Sequence, residues 1–270
     1  MIIQTAPAQS PHWVVPMSDH QCLADQFAAA FGNEAFASLN PEGLMRFLVA
    51  NHDAGWKEVD ARIPMDPNTG LPCNLLQTPM EDLVQTGAPS AALNEAHHPY
   101  CGLLISMHVY GLYHGRYGLS DKIVVDLLPE EVRPHFDAML EAELARQARL
   151  KGVLRADPTM QEYVDETMLF HNYKVLQFFD TLSLYFCMDH AGARSESVFL
   201  NVPKSVGDDV AVTVTPLDDG TYKVSPFPFK GASLEVELPG HALMPQAPGT
   251  DIQAALAATP RGHEKVTLVA

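Results

Sequence analysis

The chain has 270 residues, of which 47% are hydrophobic and 19% are charged, and its formal charge is −16. This composition is typical of a folded protein with a sizeable core, and so acidic a surface repels phosphate backbones and anionic lipids. We therefore expect no nucleic-acid partner and no membrane partner. The four cysteines are far apart, no long apolar run is present, and the N-terminus lacks the features of a secretory signal, so we expect a cytoplasmic protein.

Helical patterns dominate the first part of the chain. Residues 18–32 and 41–55 each carry an apolar stripe at helical spacing. The segment after these two helices, residues 56–98, is rich in Pro, Gly, Asn and Asp. It predicts a long ordered loop or lid, with a short helix near residues 80–86.

Further helices are predicted over residues 99–113, 129–151 and 158–189, and the pattern then changes. After about residue 195 the runs are short and β-prone: SVFLNV, DVAVTVTPL, GTYKVSPF, ASLEVEL and KVTLVA. The segment LDDGTY between two of them indicates a hairpin. We expect a mainly α protein, with a helical body at residues 1–194 and a small β-rich extension packed on it at residues 195–270.

A single His-Asp pair, His52-Asp53, stands near the end of the second predicted helix. With 12 His and 18 Asp in 270 residues, random order alone supplies about one such pair. The pair is therefore informative only if other ligands converge on it.

The position of each candidate ligand around its helix shows whether the ligands can meet, because residues three, four or seven apart share one face of a helix. His20 and His52 fall on the apolar stripes of their predicted helices, and Asp53 flanks His52. His108 and Asp180 lie in two of the most apolar helical segments, where an unpaired carboxylate is costly. A lone inward His is more often a hydrogen-bonded core residue than a ligand, but five such residues together favour a metal centre. Imidazole and carboxylate suit zinc, iron, manganese or nickel.

This order of residues resembles the HD-domain superfamily of metal-dependent phosphohydrolases. The superfamily's first His corresponds to His20, its His-Asp pair to His52-Asp53, and its last Asp to Asp180. The segments NHDAGWKEVDARIPMDPNTGLP and LQFFDTLSLYFC are more narrowly similar to a bacterial branch known only as a domain of unknown function. The resemblance implies an HD-type helical bundle.

The resemblance also implies a metal-dependent hydrolase that acts on a small molecule, with a phosphoester as one candidate, through a metal-activated water. One alternative is a di-iron oxygenase on the same scaffold, in which His108 would support a second ion. Another is a non-catalytic, metal-stabilised protein that binds a ligand. We thus expect one or two divalent transition metal ions as cofactor, although the sequence does not identify the metal. We also expect a small-molecule substrate, and the chain could form a homodimer.

Four residues near the expected ligands are candidates for other roles. Asp60 and Lys57 are candidate catalytic residues, for proton transfer and for balancing an anionic substrate. Trp56 and Arg116 are candidate substrate-binding residues. Each of three also has a purely structural alternative: Asp60 could cap a loop, Lys57 could be a solvated surface residue, and Trp56 could anchor the core. Few cations stand near the expected centre, which leaves room for a neutral or carboxylate substrate.

Overall fold

The computed structural model describes residues 1–218 and 220–270, and its central feature is a seven-stranded mixed sheet. Helical segments hold 48% of the residues and strands hold 20%. The prediction of a mainly α, HD-type helical bundle with a small β appendage is therefore wrong. The sheet is too large to be an appendage, because it recruits strands from the N-terminus as well as from the C-terminal part of the chain.

Within the described residues the helices alternate unevenly with the strands, and most strands come late in the chain. The helices are α1 (Met17–Ala30), α2 (Glu42–Ala50), α3 (Trp56–Asp60), α4 (Met80–Leu83), α5 (Gly87–His97), α6 (Pro99–Tyr113), α7 (Arg133–Ala156), α8 (Glu166–Met188) and α9 (Ile252–Ala258). The strands are β1 (Ile2–Ile3), β2 (His12–Val15), β3 (Met65–Asp66), β4 (Leu71–Pro72), β5 (Ser197–Ser205), β6 (Asp208–Pro216), β7 (Thr221–Ser225), β8 (Ser233–Leu243) and β9 (Arg261–Val269).

The strand order of the large sheet is β1-β2-β8-β9-β7-β6-β5. β7 and β9 are parallel, and the other neighbouring pairs are antiparallel. The N-terminal strand β2 pairs with β8, with His12 opposite Leu243. β3 and β4 form a separate two-stranded sheet. The start of the chain is thus built into the C-terminal sheet.

Two helices connect this sheet to the rest of the molecule. α1 packs against β8, α8 packs against β5 and β1, and the two helices pack against each other. α2 and α6 lie against α8 on its other side, and α5 and α7 pack on α6. The apolar core runs through this junction, so side chains that point from α1, α6 and α8 towards one another are buried.

The predicted helix over residues 99–113 is confirmed by α6, which begins at Pro99. Pro suits the first helical position because no backbone N–H is needed there, and the His98 ring accepts a hydrogen bond from the backbone N–H of Tyr100. The strand-prone runs after residue 195 are confirmed by β5 to β9. β6 and β7 pair as the hairpin prediction requires, although its turn includes Asp219, which is outside the described residues.

Two other predictions differ from the structure. The helix expected over residues 41–55 ends at Ala50, so His52 and Asp53 lie in the turn between α2 and α3. The segment 56–98, expected to be mainly loop, contains α3, α4 and α5. The division of the chain at residues 194 and 195 stays a prediction.

No helix in the described ranges combines the length and the apolar character that crossing a bilayer requires.

Candidate metal centre

Three of the five predicted ligands meet at one buried point. His20 Nε2 lies 3.2 Å from His52 Nε2 and 3.2 Å from Asp180 Oδ1, and His52 Nε2 lies 3.6 Å from the same carboxylate oxygen. The point equidistant from these atoms is about 1.9 Å from each, close to the 2.0–2.1 Å length of a zinc–imidazole bond. The three atoms therefore have the spacing of ligands around a single ion, and the group has the composition of a metal site.

The His20 side chain comes from the first turn of α1 and is held by α8. Its Nδ1 lies 2.9 Å from Ser183 Oγ, and that hydroxyl donates its hydrogen to the backbone carbonyl of Asp180 at 2.8 Å. Ser183 must then accept a hydrogen bond from His20 Nδ1–H. A neutral His20 consequently carries its lone pair on Nε2, the atom that faces the cluster.

A backbone carbonyl orients the His52 ring in the same way, with Nε2 towards the cluster. His52 Nδ1–H donates to Val49 O at 2.7 Å, which leaves the Nε2 lone pair directed at the cluster. The turn that carries His52 is anchored on α5: Asn94 Nδ2 donates to Asn51 O, and Gly55 N–H donates to Ser90 Oγ, each at 2.9 Å.

Gly55 is required in this turn because of a close approach. A Cβ at Gly55 would lie 2.0 Å from the Thr86 carbonyl oxygen, which is backbone and cannot move aside easily. The absence of a side chain at Gly55 therefore lets the turn that carries His52 sit against the start of α5.

Asp53 and His108 flank the three central residues. Asp53 Oδ2 lies 3.7 Å from His52 Nε2, and its Oδ1 lies 3.9 Å from His108 Nε2. The carboxylate thus stands between the two rings. These distances place Asp53 beside the central group and His108 one step further out.

The charges of the cluster depend on one another. Burial alone would lower the pKa of His52, but the charge of Asp53 and the hydrogen bond with Asp180 raise it to about 9. Burial alone would raise the pKa of Asp180, but hydrogen bonds with His20 and His52 hold it well below its usual range. Burial lowers the pKa of His108 to about 4, against the opposing charges of Asp180 and Asp53. At neutral pH the cluster therefore holds a carboxylate and a cation on His52, with His108 neutral.

The two predicted catalytic residues lie on α3. The Asp60 carboxylate is buried, accepts a hydrogen bond from Met17 N–H at 2.7 Å and pairs with the amino group of Met1. Lys57 is exposed. Neither side chain contacts the His-His-Asp cluster among the described residues, so their catalytic roles stay predictions.

The two predicted substrate-binding residues line different cavities. Trp56 is buried and lines a small cavity of about 40 Å³ together with Asp53 and His108. That volume has room for about one water molecule. Arg116 lines a separate cavity of about 340 Å³, and its Nη2 atom lies 4.0 Å from Asp180 Oδ2.

Two polar residues that sequence reasoning missed flank Asp180 on α8. Ser183 orients His20, and Gln177 Nε2 lies 2.9 Å from His108 Nδ1. They stand three residues after and three before Asp180, which places all three on one helix face. That spacing is visible in the sequence and would have identified both.

The fold and the cluster together define a mixed α/β protein with two histidines and an aspartate gathered in its core. The chain belongs to the DUF3891 family, described as proteins of unknown function, whose family model matches residues 1–245. No curated protein and no solved structure matches the chain.

Proposed function

We propose that the protein is a metal-dependent hydrolase in which His20, His52 and Asp180, with Asp53 beside them, hold a divalent transition metal ion. The observation that carries the proposal is the convergence of two imidazole nitrogens and one carboxylate oxygen within 3.6 Å of one another. This order of ligands in the chain resembles that of the HD-domain superfamily. The resemblance concerns the ligands and their order, not the overall fold.

The side chains of His20, His52 and Asp180 have the chemistry that a divalent metal ion requires. Both histidines have their Nδ1 hydrogens engaged outside the cluster, so both present lone pairs inward, and Asp180 adds a negative charge. Without the proton on His52, three mutually repelling acceptors would face one another in a dry core, and a cation would be needed between them. A bound divalent ion would lower the pKa of a coordinated water towards neutrality and so supply a nucleophile for hydrolysis.

The protein's own groups would handle that water. The cavity beside Asp53 has room for about one water molecule, and the Asp53 carboxylate lines it. Asp53 is thus placed to accept a proton from a water in the cavity, and the buried Trp56 side chain forms part of the cavity wall.

A specific observation favours the di-iron oxygenase as the second candidate. The two oxygens of Asp53 face different rings, Oδ2 towards His52 and Oδ1 towards His108, as a carboxylate bridging two ions would. The two candidates differ in stoichiometry, since the hydrolase needs one ion and the oxygenase needs two. Two irons with an oxygen-dependent change in the visible spectrum would favour the oxygenase.

The experiment is to measure metal per protein chain by elemental analysis. We expect at least one transition metal ion per chain in the wild type, and loss of that ion in His52→Ala and in the isosteric Asp180→Asn. His263→Ala is the matched control, because that ring is about half exposed, lies on β9 and pairs with Glu237. Circular dichroism would establish that the variants remain folded.

Equal metal content in all four proteins would overturn the metal proposal. Metal retained by the wild type without hydrolysis of any phosphoester or carboxylic ester would favour the third candidate, a metal-stabilised protein that binds a ligand.

A further inference from the structure

Polar groups without partners gather near Asp180 Oδ2, the carboxylate oxygen that is not the one facing His20 and His52. Among the described residues, the Tyr173 hydroxyl and Gln177 Oε1 are buried without a hydrogen-bond partner. The Arg116 guanidinium makes no hydrogen bond within the same residues, and its only nearby anion is Asp180 Oδ2 at 4.0 Å. Buried polar groups are nearly always hydrogen-bonded, so the Tyr173 hydroxyl and Gln177 Oε1 indicate a place where another molecule binds.

The three groups are neighbours. Tyr173, Gln177 and Asp180 follow one another at spacings of four and three residues, on one face of α8. Arg116 and Gln177 line the same 340 Å³ cavity. A Cβ built on Gly111 would lie 2.1 Å from the Tyr173 hydroxyl and 3.4 Å from Arg116 Cα, so this hydroxyl lies against the turn that carries Arg116.

That turn has an unusual backbone. Four successive residues after α6 have positive φ angles: Gly115 (61°), Arg116 (51°), Tyr117 (56°) and Gly118 (89°). Arg and Tyr rarely adopt this left-handed conformation, and strain of this kind persists mainly where a site requires it. The Tyr117 hydroxyl donates to Gln147 Oε1 at 3.2 Å, which helps to hold the turn and so directs Arg116 towards Asp180.

The charges of the 340 Å³ cavity select the kind of ligand. Its two cations are Arg116 and Lys174, and the Lys174 ammonium is already paired with Asp209. Arg116 is therefore the cation of this cavity that is not held in a close ion pair, since its carboxylate neighbour Asp180 Oδ2 is 4.0 Å away. A guanidinium presents paired N–H donors that match a phosphate or carboxylate, and the Tyr173 hydroxyl offers another donor.

Gln177 can add a donor only when its amide is turned over. Its amide has Nε2 at His108 Nδ1 and Oε1 without a partner. Turning the amide over would let Oε1 accept a hydrogen bond from His108 Nδ1–H and would direct Nε2 to the unpartnered side. In that orientation His108 would also present its Nε2 lone pair towards Asp53.

We propose that Arg116, Tyr173 and Gln177 form an oxyanion subsite that binds a phosphate or carboxylate group of the substrate beside Asp180. As a substrate subsite it rests on the proposed function, whereas oxyanion binding at this point can be measured without metal.

The test is calorimetric titration of full-length, metal-free protein with inorganic phosphate and, separately, with acetate. Arg116→Met should weaken binding of the preferred anion about 10- to 100-fold and Tyr173→Phe about 3- to 10-fold, as expected for the loss of charged and neutral hydrogen bonds. Arg62→Met, which removes an exposed Arg paired with Asp82, should leave binding unchanged. The anion that binds more tightly distinguishes a phosphorylated substrate from a carboxylate.

Absence of saturable binding to either anion, or equal weakening by Arg116→Met and Arg62→Met, would overturn the subsite. The two proposals fail separately: His52→Ala should lose metal yet keep the anion affinity of the metal-free protein. A wild type without metal that still binds phosphate through Arg116 would refute the metal centre and support the subsite.

A second variant separates binding from a structural role for Arg116. Arg116→Gly removes both the guanidinium and the left-handed strain, so anion binding should be lost while the melting temperature rises by about 1–3 °C. Gln9→Gly is the backbone control, because exposed Gln9 also has a positive φ of 64° and should show the same rise without loss of binding. A lower melting temperature in Arg116→Gly with unchanged anion affinity would overturn the proposal.

Discussion

Raising the pH from 7 to 9 should strengthen metal binding about 50-fold, because the metal must displace a proton from His52. Without metal, burial alone would lower the pKa of His52, but Asp53 and Asp180 raise it to about 9. The displaced proton is on Nε2, since Nδ1–H is donated to Val49 O. Because half of the His52 rings are already deprotonated at pH 9, this change corresponds to about 2.3 kcal/mol of binding free energy. His108 releases no proton in this range, because its pKa is lowered to about 4.

The assay is competition against a chromophoric chelator of known affinity between pH 6 and pH 10. The affinity should rise about tenfold per pH unit up to about pH 8, bend near pH 9 and then level off. Calorimetry at pH 7 in two buffers of different ionisation enthalpy should count about one proton released per ion bound. In Asp53→Asn the levelling should move to lower pH, because the charge that raises the pKa of His52 is gone. A flat affinity from pH 7 to 9, with no proton released, would refute this reasoning.

The raised pKa of His52 should also make the metal-free protein less stable in mild alkali. The pKa of His52 in the folded state is raised from 6.5 to about 9, so its contribution is complete below pH 6.5 and is lost as the pH rises through 9. The loss is on the order of 3 kcal/mol in urea unfolding, and a constant free energy of unfolding over this range would contradict it. Ser183→Ala should weaken metal binding about tenfold in the chelator assay, because His20 loses its orienting acceptor; Ser183→Thr, which keeps the hydroxyl, should not. Gly55→Ala should destabilise the protein by about 1–3 kcal/mol in the same unfolding assay. Asp60→Asn should lower the unfolding free energy by about 1–3 kcal/mol without loss of metal. Loss of metal at unchanged stability would instead indicate that Asp60 takes part in the metal site.

Local signals predicted much of the secondary structure but not the sheet. α6 was predictable because Pro99 fixes its start, and β5 to β9 were predictable because each strand is a β-prone run. β1 has two residues and β2 has four, which is too short for a periodic pattern. β1 pairs with β2, and β2 pairs with β8, which joins residues more than 200 positions apart. Only tertiary packing specifies that second pairing.

The site was predicted partly for a wrong reason. Helical phase placed His52 inward on a helix that in fact ends at Ala50. His52 is buried because hydrogen bonds to Ser90 and Asn94 hold its turn against α5, and α5 lies in a segment expected to be mainly loop. Helical phase did apply to Asp180, which lies within the long helix α8.

The hydrogen-bond pattern also supports the proposal that a cation binds at the centre of the cluster. A histidine that serves only the core would donate N–H to a neighbouring carboxylate. Here Ser183 and Val49 take the Nδ1 hydrogens of His20 and His52, so neither neutral ring has a hydrogen left for Asp180. Below pH 9 the proton on His52 supplies the missing positive charge. Above pH 9 that proton leaves, and the two lone pairs and the carboxylate repel one another without compensation. A metal ion should therefore stabilise the fold more at pH 9 than at pH 7, and thermal unfolding with and without metal at the two pH values would measure that difference.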